Sequence, residues 1–299
     1  LVNAIPYAAL QQGKLNLKKG DEKVNIFADR VLEMEGLEFL TVEEAYKLTD
    51  ASAERSAAGA TFRHKQEHVV AYVENHLRFL KNNFSERHTA KVVGTVVQQM
   101  EEWLANPVIE EADPGASYAE VLEVDLATIT EPLLAAPNDP DKVVTLSEAA
   151  GTPVDEVFVG SCMVDITDFR SVAAILSGAR VQHRLKFWTV PPDRESNAVL
   201  AREGVHSVLL AAGANVHVPG CSLCMGNQGQ VAQGATVLST STRNFDNRMG
   251  TGAQVYLGSA QLAAVTALTG ELPSVATYLT HYQKLSSSAD EIRKPLCHP

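Results

Sequence analysis

The chain has 299 residues, which is long enough for two α/β domains of ordinary size, each with its own core. Apolar residues make up 45% of it and charged residues 20%, the balance of a globular protein, and no apolar run approaches the roughly 18 residues of a membrane span. The net charge of −11 argues against a general nucleic-acid binder, because such proteins need a basic face to meet phosphates.

The first part of the chain predicts helices followed by loops. A helix begins near Thr41 with acidic residues in its first turn, and a second helix of small residues follows it and stops at Gly59. Apolar residues at helical spacing predict a core-facing helix from Lys65 to Phe84. The stretch 105–120 is rich in Pro, Gly and acidic residues, which predicts a loop before the strand-like "VLEVDLATI".

A second break, at 131–153, contains four prolines and two turn signals, Pro137-Asn138 and Asp139-Pro140. We place the domain boundary in it, with a first α/β domain at 1–145, a second at 146–285 and a tail at 286–299. After the break, strand-like runs alternate with helical ones: "DEVFVGSC", "FRSVAAILSGA", "RLKFWTV", "NAVLAREGVHSVLLAAGA", "NVHVPGC", "ATVLSTSTRNF" and "SAQLAAVTALTG", the last with Gly270 as its C-cap. This alternation predicts a parallel, doubly wound sheet.

Cysteines end two of these predicted strands. Cys162 follows one, Cys221 and Cys224 follow another, and the Arg243 segment follows a third, so we expect one edge of the sheet to collect them. Four cysteines are too few for a disulfide scaffold, which favours a reducing compartment, the cytoplasm or an organelle matrix or stroma, over secretion.

The pair in "VPGCSLCMGN" alone fits a redox disulfide, zinc, an iron–sulfur cluster or two buried thiols. Three thiolates at one edge suit a metal centre better than a dithiol. Structural zinc takes four ligands, and "PLCHP" offers Cys297 or His298 as the fourth. A [4Fe–4S] cluster held by only three cysteines would instead leave one iron open, as a Lewis acid.

Several stretches resemble the aconitase superfamily, in particular its bacterial B-type branch: "VPGCSLCMGNQGQVAQGATVLSTSTRNFDNRMGTG", "VFVGSCM", "LTDASAERSAAG" and "EPLLAAPNDPD". The resemblance implies two aconitase-like α/β domains, the second a doubly wound, mostly parallel sheet that carries the cluster cysteines. It also implies that Cys162, Cys221 and Cys224 hold a [4Fe–4S] cluster. The implied reaction is the reversible isomerisation of citrate and isocitrate through cis-aconitate.

The same resemblance assigns residues around the cluster. It places Arg243 and Arg248 beside the cluster and the substrate carboxylates, where a guanidinium can grip a carboxylate with two hydrogen bonds. Thr242 stands where many relatives have a cluster-neighbouring Asn, and Asn227 is either a donor to the cluster loop or a turn residue.

The resemblance also implies an acidic residue of the first domain, near "EVDLATITEP", that orients the iron-bound oxygen species. Asp125 and Glu131 are the candidates, each with a solvated turn carboxylate as the alternative. Glu54 and Arg55 resemble a segment that lines the interdomain region, with a buried ion pair as the alternative.

The sequence departs from the family in two ways. Relatives follow the leading cluster cysteine with a neutral polar pair, whereas here Val164 and Asp165 occupy those places, and Asp165 adds negative charge beside an anionic cluster. That charge should weaken tricarboxylate binding unless the carboxyl is protonated or turned away. The Asp-His and Asp-Ser-His motifs and the Ser-Arg loop of the family are also absent from the sequence.

Two functional hypotheses follow. The first is the cluster-bearing C-terminal part of an aconitate hydratase, inactive alone, whose partners are a tricarboxylate and the missing aconitase domains in the same or another chain. The second is a non-catalytic, aconitase-derived structural or interaction subunit of a larger complex. A zinc site completed by Cys297 or His298 is a third interpretation.

Overall fold

The computed structural model describes residues 1–84 and 90–294, and its first part is mostly helical. Strands β1 (Val31–Met34) and β2 (Gly59–Phe62) pair in parallel, alongside the helices α1 (Ala4–Gln11), α2 (Val42–Ser52), α3 (Gln66–Phe84) and α4 (Ala90–Ala105). The predicted start of α2 is confirmed. Thr41 caps it in a capping box, because its hydroxyl accepts from Glu44 N at 3.2 Å while the Glu44 carboxylate accepts from Thr41 N at 3.0 Å.

Two predictions for this part are wrong. The small-residue helix predicted to reach Gly59 is only a 3₁₀ turn, Ala53–Arg55, because Ser56 adopts a left-handed φ of 63° that ends the helical geometry. The strand predicted in "VLEVDLATI" is an irregular segment with a 3₁₀ turn at Leu126–Thr128. There the Asp125 carboxylate accepts from Ala127 N at 3.0 Å, which favours the turn over an extended strand.

The helix predicted from Lys65 to Phe84 corresponds to α3. The structure does not support its predicted place in a core, since no described side chain of α3 is fully buried. The reason is that α3 packs mainly on α4, so its apolar stripe is covered on one side only. Among the described residues, no helix combines the length and the apolar content needed to cross a bilayer.

The second part is built on a seven-stranded sheet. Its strands are β3 (Leu133–Ala135), β4 (Val143–Thr145), β5 (Glu156–Val159), β6 (Lys186–Thr189), β7 (Asn215–Val216), β8 (Thr236–Ser239) and β9 (Gln254–Leu257). They lie in the order β4-β3-β9-β8-β5-β6-β7. The five strands β5 to β9 pair in parallel, while β3 is antiparallel to both β4 and β9. The predicted mostly parallel α/β sheet is confirmed.

The remaining helices follow the strands in chain order, as α5 (Leu146–Ala149), α6 (Ile166–Leu176), α7 (Arg194–Arg202), α8 (Val205–Ala212), α9 (Ala260–Thr269), α10 (Val275–Tyr282) and α11 (Ala289–Ile292). Gly270 caps α9 with a φ of 80°, as predicted. The single helix predicted in "NAVLAREGVHSVLLAAGA" is two, α7 and α8, because Gly204 takes a φ of 77° between them. The domain boundary at 145 stays a prediction, although β3 and β4, which precede it, join the sheet of the second part.

Strand β5 shows how the sheet separates two cores. Val157 and Val159 belong to the large cluster of helix-facing apolar residues, whereas Phe158 belongs to a second cluster that contains Leu223 and Cys224. Alternate side chains of a strand point to opposite faces, so the second face of the sheet supports the loop that carries the cysteine pair.

The first residue of β5, Glu156, is a buried carboxylate with two donors. It is 2% exposed and accepts from Trp188 Nε1 at 2.6 Å and from Ala232 N at 2.7 Å. We expect Glu156→Gln to lower the free energy of unfolding by about 1–3 kcal/mol, because the amide nitrogen cannot accept and one buried donor loses its partner. Urea titration measures the change. Asp155→Asn, at an exposed neighbour that accepts from Thr236 N, is the control, and an equal loss in both variants would contradict the expectation.

Candidate functional site

The three predicted cysteines lie on loops that follow β5 and β7, at the carboxyl edge of the sheet. Cys162 and Cys221 are exposed, and Cys224 is buried within the 3₁₀ turn Ser222–Met225. All three are free thiols. Cys224 N donates to Cys221 O at 2.8 Å, which closes the turn between them. The fourth cysteine, Cys297, and its neighbour His298 lie outside the described residues, as does the rest of the tail after 294.

Hydrogen bonds tie the Cys162 loop to the end of β8. Gly160 N donates to Thr240 Oγ1 at 2.9 Å, and the same hydroxyl donates to Gly160 O at 2.9 Å. A side chain at Gly160 would meet Val190 O at 2.9 Å from its Cβ, so the loop needs glycine there. Ser161 then adopts a φ of 78°, and this reversal leads directly into Cys162. The carboxyl ends of β5 and β8 are therefore held as one unit.

Cys162 faces an acid of the first part. Although the Cys162 residue is exposed, its thiol is partly withdrawn from solvent. This partial burial and a hydrogen bond to the Asp50 carboxylate raise the pKa of the Cys162 thiol to about 12, and the charge of Cys224 adds to the effect. Asp50 lies on α2, and its Oδ2 atom is buried with no hydrogen-bond partner among the described residues. The carboxylate therefore has acceptor capacity left at the edge where the cysteines meet.

Cys224 lies beside the guanidinium of Arg248. Burial raises the pKa of the Cys224 thiol, while a hydrogen bond from Arg248 and the charge of that guanidinium favour the thiolate. The Arg248 Nε atom is buried and has no partner among the described residues. The loop comes close to the Arg248 backbone at Gly226, where an added Cβ would lie 2.6 Å from Arg248 O.

The second predicted arginine, Arg243, forms an ion pair through its Nε with the Glu54 carboxylate. The Glu54 side chain is 8% exposed and that of Arg243 is 41% exposed, so the acid is buried and the base reaches towards solvent. The ion pair joins the turn after α2 to the segment after β8. Two acids of "LTDASAERSAAG", Asp50 and Glu54, thus come to the cysteine edge together.

The role predicted for Asp125 or Glu131 stays a prediction; both acids bind local backbone donors, and Glu131 lines the same cavity as Glu54 and Met163. Asp125 caps the 3₁₀ turn described above, and Glu131 accepts from Ser147 N at 2.6 Å. Both side chains thus bind nearby backbone donors, and neither has a contact with a cysteine in the described structure. Sequence reasoning missed Asp50, although a signal existed: Asp50 and Glu54 are four residues apart, which places both carboxylates on one face of a helix.

The remaining predicted site residues, Thr242, Asn227 and Asp165, differ in how close they lie to the cysteines. Thr242 is half-buried and lines a cavity of about 590 Å³ together with Glu54, Met163 and Lys47, next to the cysteine edge. Asn227 is exposed after the turn that contains Cys224. Asp165 is the N-cap of α6, where its carboxylate accepts from Thr167 N at 2.7 Å and Asp168 N at 3.1 Å. Its charge is turned to a helix end and to Lys47, 3.0 Å away.

The donor set at the edge does not form a compact single-ion site. Among the described residues, no group of three His, Cys, Asp or Glu side chains is arranged to hold a metal ion. Each cysteine of an iron–sulfur cluster binds a separate iron atom, so cluster ligands stand farther apart than the ligands of one zinc. The thiols do influence one another electrostatically, Cys162 with Cys224 and Cys224 with Cys221.

Comparisons with known proteins identify the family. Residues 147–270 match the family described as aconitase (aconitate hydratase). The chain is 53% identical over 281 residues to aconitate hydratase B of Synechocystis sp., a match that covers 93% of this chain and 32% of the relative. It is 49% identical over 290 residues to aconitate hydratase B of Escherichia coli, covering 97% of this chain and 33% of the relative.

A more distant relative is the large subunit of 3-isopropylmalate dehydratase from Herpetosiphon aurantiacus, 35% identical over 245 residues that cover 79% of this chain and 55% of the relative. The chain spans about a third of the length of the aconitate hydratase B proteins that it matches. By its domain at 147–270 and its identity to these relatives along nearly its whole length, the chain belongs to the aconitase family.

Proposed function

We propose that the chain is the cluster-bearing part of an aconitate hydratase, in which Cys162, Cys221 and Cys224 hold a [4Fe–4S] cluster. The observation that carries the proposal is the meeting of three free thiols, two acids and two arginines at one edge of the sheet. Identity to aconitate hydratase B over most of the chain supports the same assignment.

The chemistry of the donor set fits such a cluster. Three thiols stand on two loops with hydrogen-bond donors nearby, and Arg248 favours the thiolate form of Cys224, the form that binds iron. Gly226 leaves the cysteine loop without a side chain at its closest approach to the Arg248 backbone. A cluster held by three cysteines supplies an iron with an open position, which acts as a Lewis acid towards a hydroxyl and a carboxylate.

The chain's own residues would bind and orient the substrate. Arg243 and Arg248 supply fixed positive charge for the carboxylates of a citrate- or isocitrate-type acid, which an anionic site needs. Glu54 holds the Arg243 side chain by an ion pair and so limits its rotamers. Asp50 and Glu54 join Asp125 and Glu131 as candidates for the acid that accepts a proton or orients an oxygen, because Asp50 contacts Cys162 and Glu54 pairs with Arg243.

Catalysis by this machinery needs groups from the rest of a longer protein or from another chain. The serine loop and the Asp-His motifs of the family are absent from this sequence, and the chain spans about a third of its relatives. We therefore propose the missing aconitase domains as partners, a tricarboxylate as substrate, a role in the tricarboxylic acid cycle and a reducing compartment that keeps the thiols free.

The alternative of a non-catalytic, aconitase-derived subunit rested partly on Asp165. Its carboxylate is directed to the end of α6 and to Lys47, which reduces its repulsion of an anionic substrate. The ion pair therefore weakens that argument against tricarboxylate binding.

The metal content tests the proposal. We expect the chain, purified without oxygen, to contain about four irons and four sulfides. Cys162→Ser, Cys221→Ser and Cys224→Ser should each lose most of the iron, whereas Cys297→Ser should keep it. Iron, sulfide and zinc assays with EPR spectra measure this. One zinc that depends on Cys297, or no metal in the parent chain, would contradict the proposal.

A further inference from the structure

A buried cluster of three charges joins the two halves of the site. Lys47 Nζ, on α2, lies 3.0 Å from Asp165 Oδ2 and 2.6 Å from Asp168 Oδ2, both at the start of α6. The three side chains are 11–20% exposed. Gln261, on α9, approaches the same group by donating to Asp168 Oδ1 at 3.4 Å. Because the three side chains are largely shielded from solvent, water compensates poorly for the loss of a charged partner.

Each charge depends on the others. Burial opposes ionisation of Asp165, but Lys47 and the hydrogen bonds from Thr167 and Asp168 outweigh it, so the pKa of Asp165 lies below its usual value. Burial of Asp168 raises the pKa of that carboxyl against the pull of Lys47. Although burial alone would lower the pKa of Lys47, the two carboxylates raise it. Lys47 is therefore charged and held by Asp165 and Asp168 together.

The position of Lys47 along α2 connects it to the acids of the site. It precedes Asp50 by three residues on α2, which places the two on one side of that helix, and Glu54 lies in the 3₁₀ turn that follows α2. On the other side of the contact, Asp165 follows Cys162 by three residues and caps the helix that begins there. The ion pairs thus join the end of the Cys162 loop to α2, one turn before Asp50.

We propose that Lys47 is a positioning residue that holds the Cys162 loop against the Asp50 and Glu54 side of α2. Its role in catalysis rests on the proposed function, but its hold on the loop does not. If the Lys47 ion pairs were lost, the contact between Cys162 and Asp50 would be the one polar contact left between α2 and this loop among the described residues. The loop would then open more often.

Hydrogen–deuterium exchange of the iron-free chain tests the proposal. We expect Lys47→Met to speed exchange in the peptide that covers 160–168 by at least about tenfold, which corresponds to about 1.4 kcal/mol in the local opening equilibrium. The peptide around Cys221 and Cys224 should change by less than about twofold. Asp165→Asn keeps a good N-cap and loses the charge, so it should loosen the same peptide even if Lys47→Met folds poorly.

Two further variants complete the design. Lys47→Arg keeps the charge and should preserve slow exchange. Lys18→Met removes an exposed lysine whose one ion pair among the described residues is with Glu22, and it should change nothing. Unchanged exchange at 160–168 in both Lys47→Met and Asp165→Asn would overturn the proposal. So would equal acceleration in both peptides, which would make Lys47 a general stability element. Because the measurement uses iron-free protein, a chain that binds no iron would defeat the proposed function without affecting this result.

Discussion

Replacing Arg170 by Met is expected to lower the free energy of unfolding by about 3–5 kcal/mol, the largest stability effect that the structure predicts for a single ion pair. Arg170 on α6 is 6% exposed, and its guanidinium meets Glu203 through two bonds, Nε to Oε2 at 2.8 Å and Nη2 to Oε1 at 2.6 Å. Its Nη1 atom also donates to Ile292 O at 3.2 Å and to Lys294 O. Methionine would remove both bonds to the Glu203 carboxylate, whose side chain is 21% exposed, and the bonds to the two carbonyls that hold the chain after α11.

Chemical denaturation measures the loss, and two variants interpret it. Arg170→Lys keeps the charge but cannot form the bidentate ion pair, so its free energy of unfolding should lie between those of the parent chain and Arg170→Met. Arg293→Met breaks an exposed pair with Glu44 at 3.8 Å and should cost less than about 1 kcal/mol. If Arg170→Met proved as mild as Arg293→Met, the ion pair would be a minor contributor and other contacts would hold α11 on α6.

The sheet was predictable because its signals are local. Strands β5 and β6 are short apolar runs that each lead into a helix, and right-handed parallel connections leave few other arrangements. Strand β9 was not predicted, because it follows β8 with no helix between them. The edge hairpin of β3 and β4 was not predictable in the same way. Its strands lie within a proline-rich break, and the antiparallel pairing of Ala135 with Leu257 depends on residues far apart in the chain.

The residues of the site also differ in whether local sequence signals could predict their position. The cysteines and arginines follow strands, so their common edge could be expected from the sequence alone. For Asp50 and Glu54 the sequence indicated only a shared helical face, because Asp50 on α2 and Glu54 in the 3₁₀ turn after it reach the edge through tertiary packing. The direction of the Asp165 carboxylate had a local signal that was missed. An acid at Asp168, three residues after Asp165, is the spacing of a capping box, which turns the first carboxylate to the helix end.

Gly226→Ala is expected to lower the free energy of unfolding by about 2–5 kcal/mol. Gly226 follows the cysteine turn with a φ of 64°, which costs a non-glycine residue about 1–2 kcal/mol. The new Cβ would also lie 2.6 Å from Arg248 O, a backbone atom that cannot move without the segment that carries the guanidinium. Overpacking of this kind adds about 1–3 kcal/mol.

Gly234→Ala separates the two causes. Gly234 has a φ of 71°, and an added Cβ there would meet nothing within 4 Å, so this variant should show only the backbone cost of about 1–2 kcal/mol. The difference between the two variants measures the close approach of the cysteine loop to the Arg248 backbone. Because that approach brings Arg248 to Cys224, Gly226→Ala should also lose iron relative to Gly234→Ala. Equal losses of stability in both variants would mean that the loop has room to move, and that the Arg248 contact does not depend on glycine at 226.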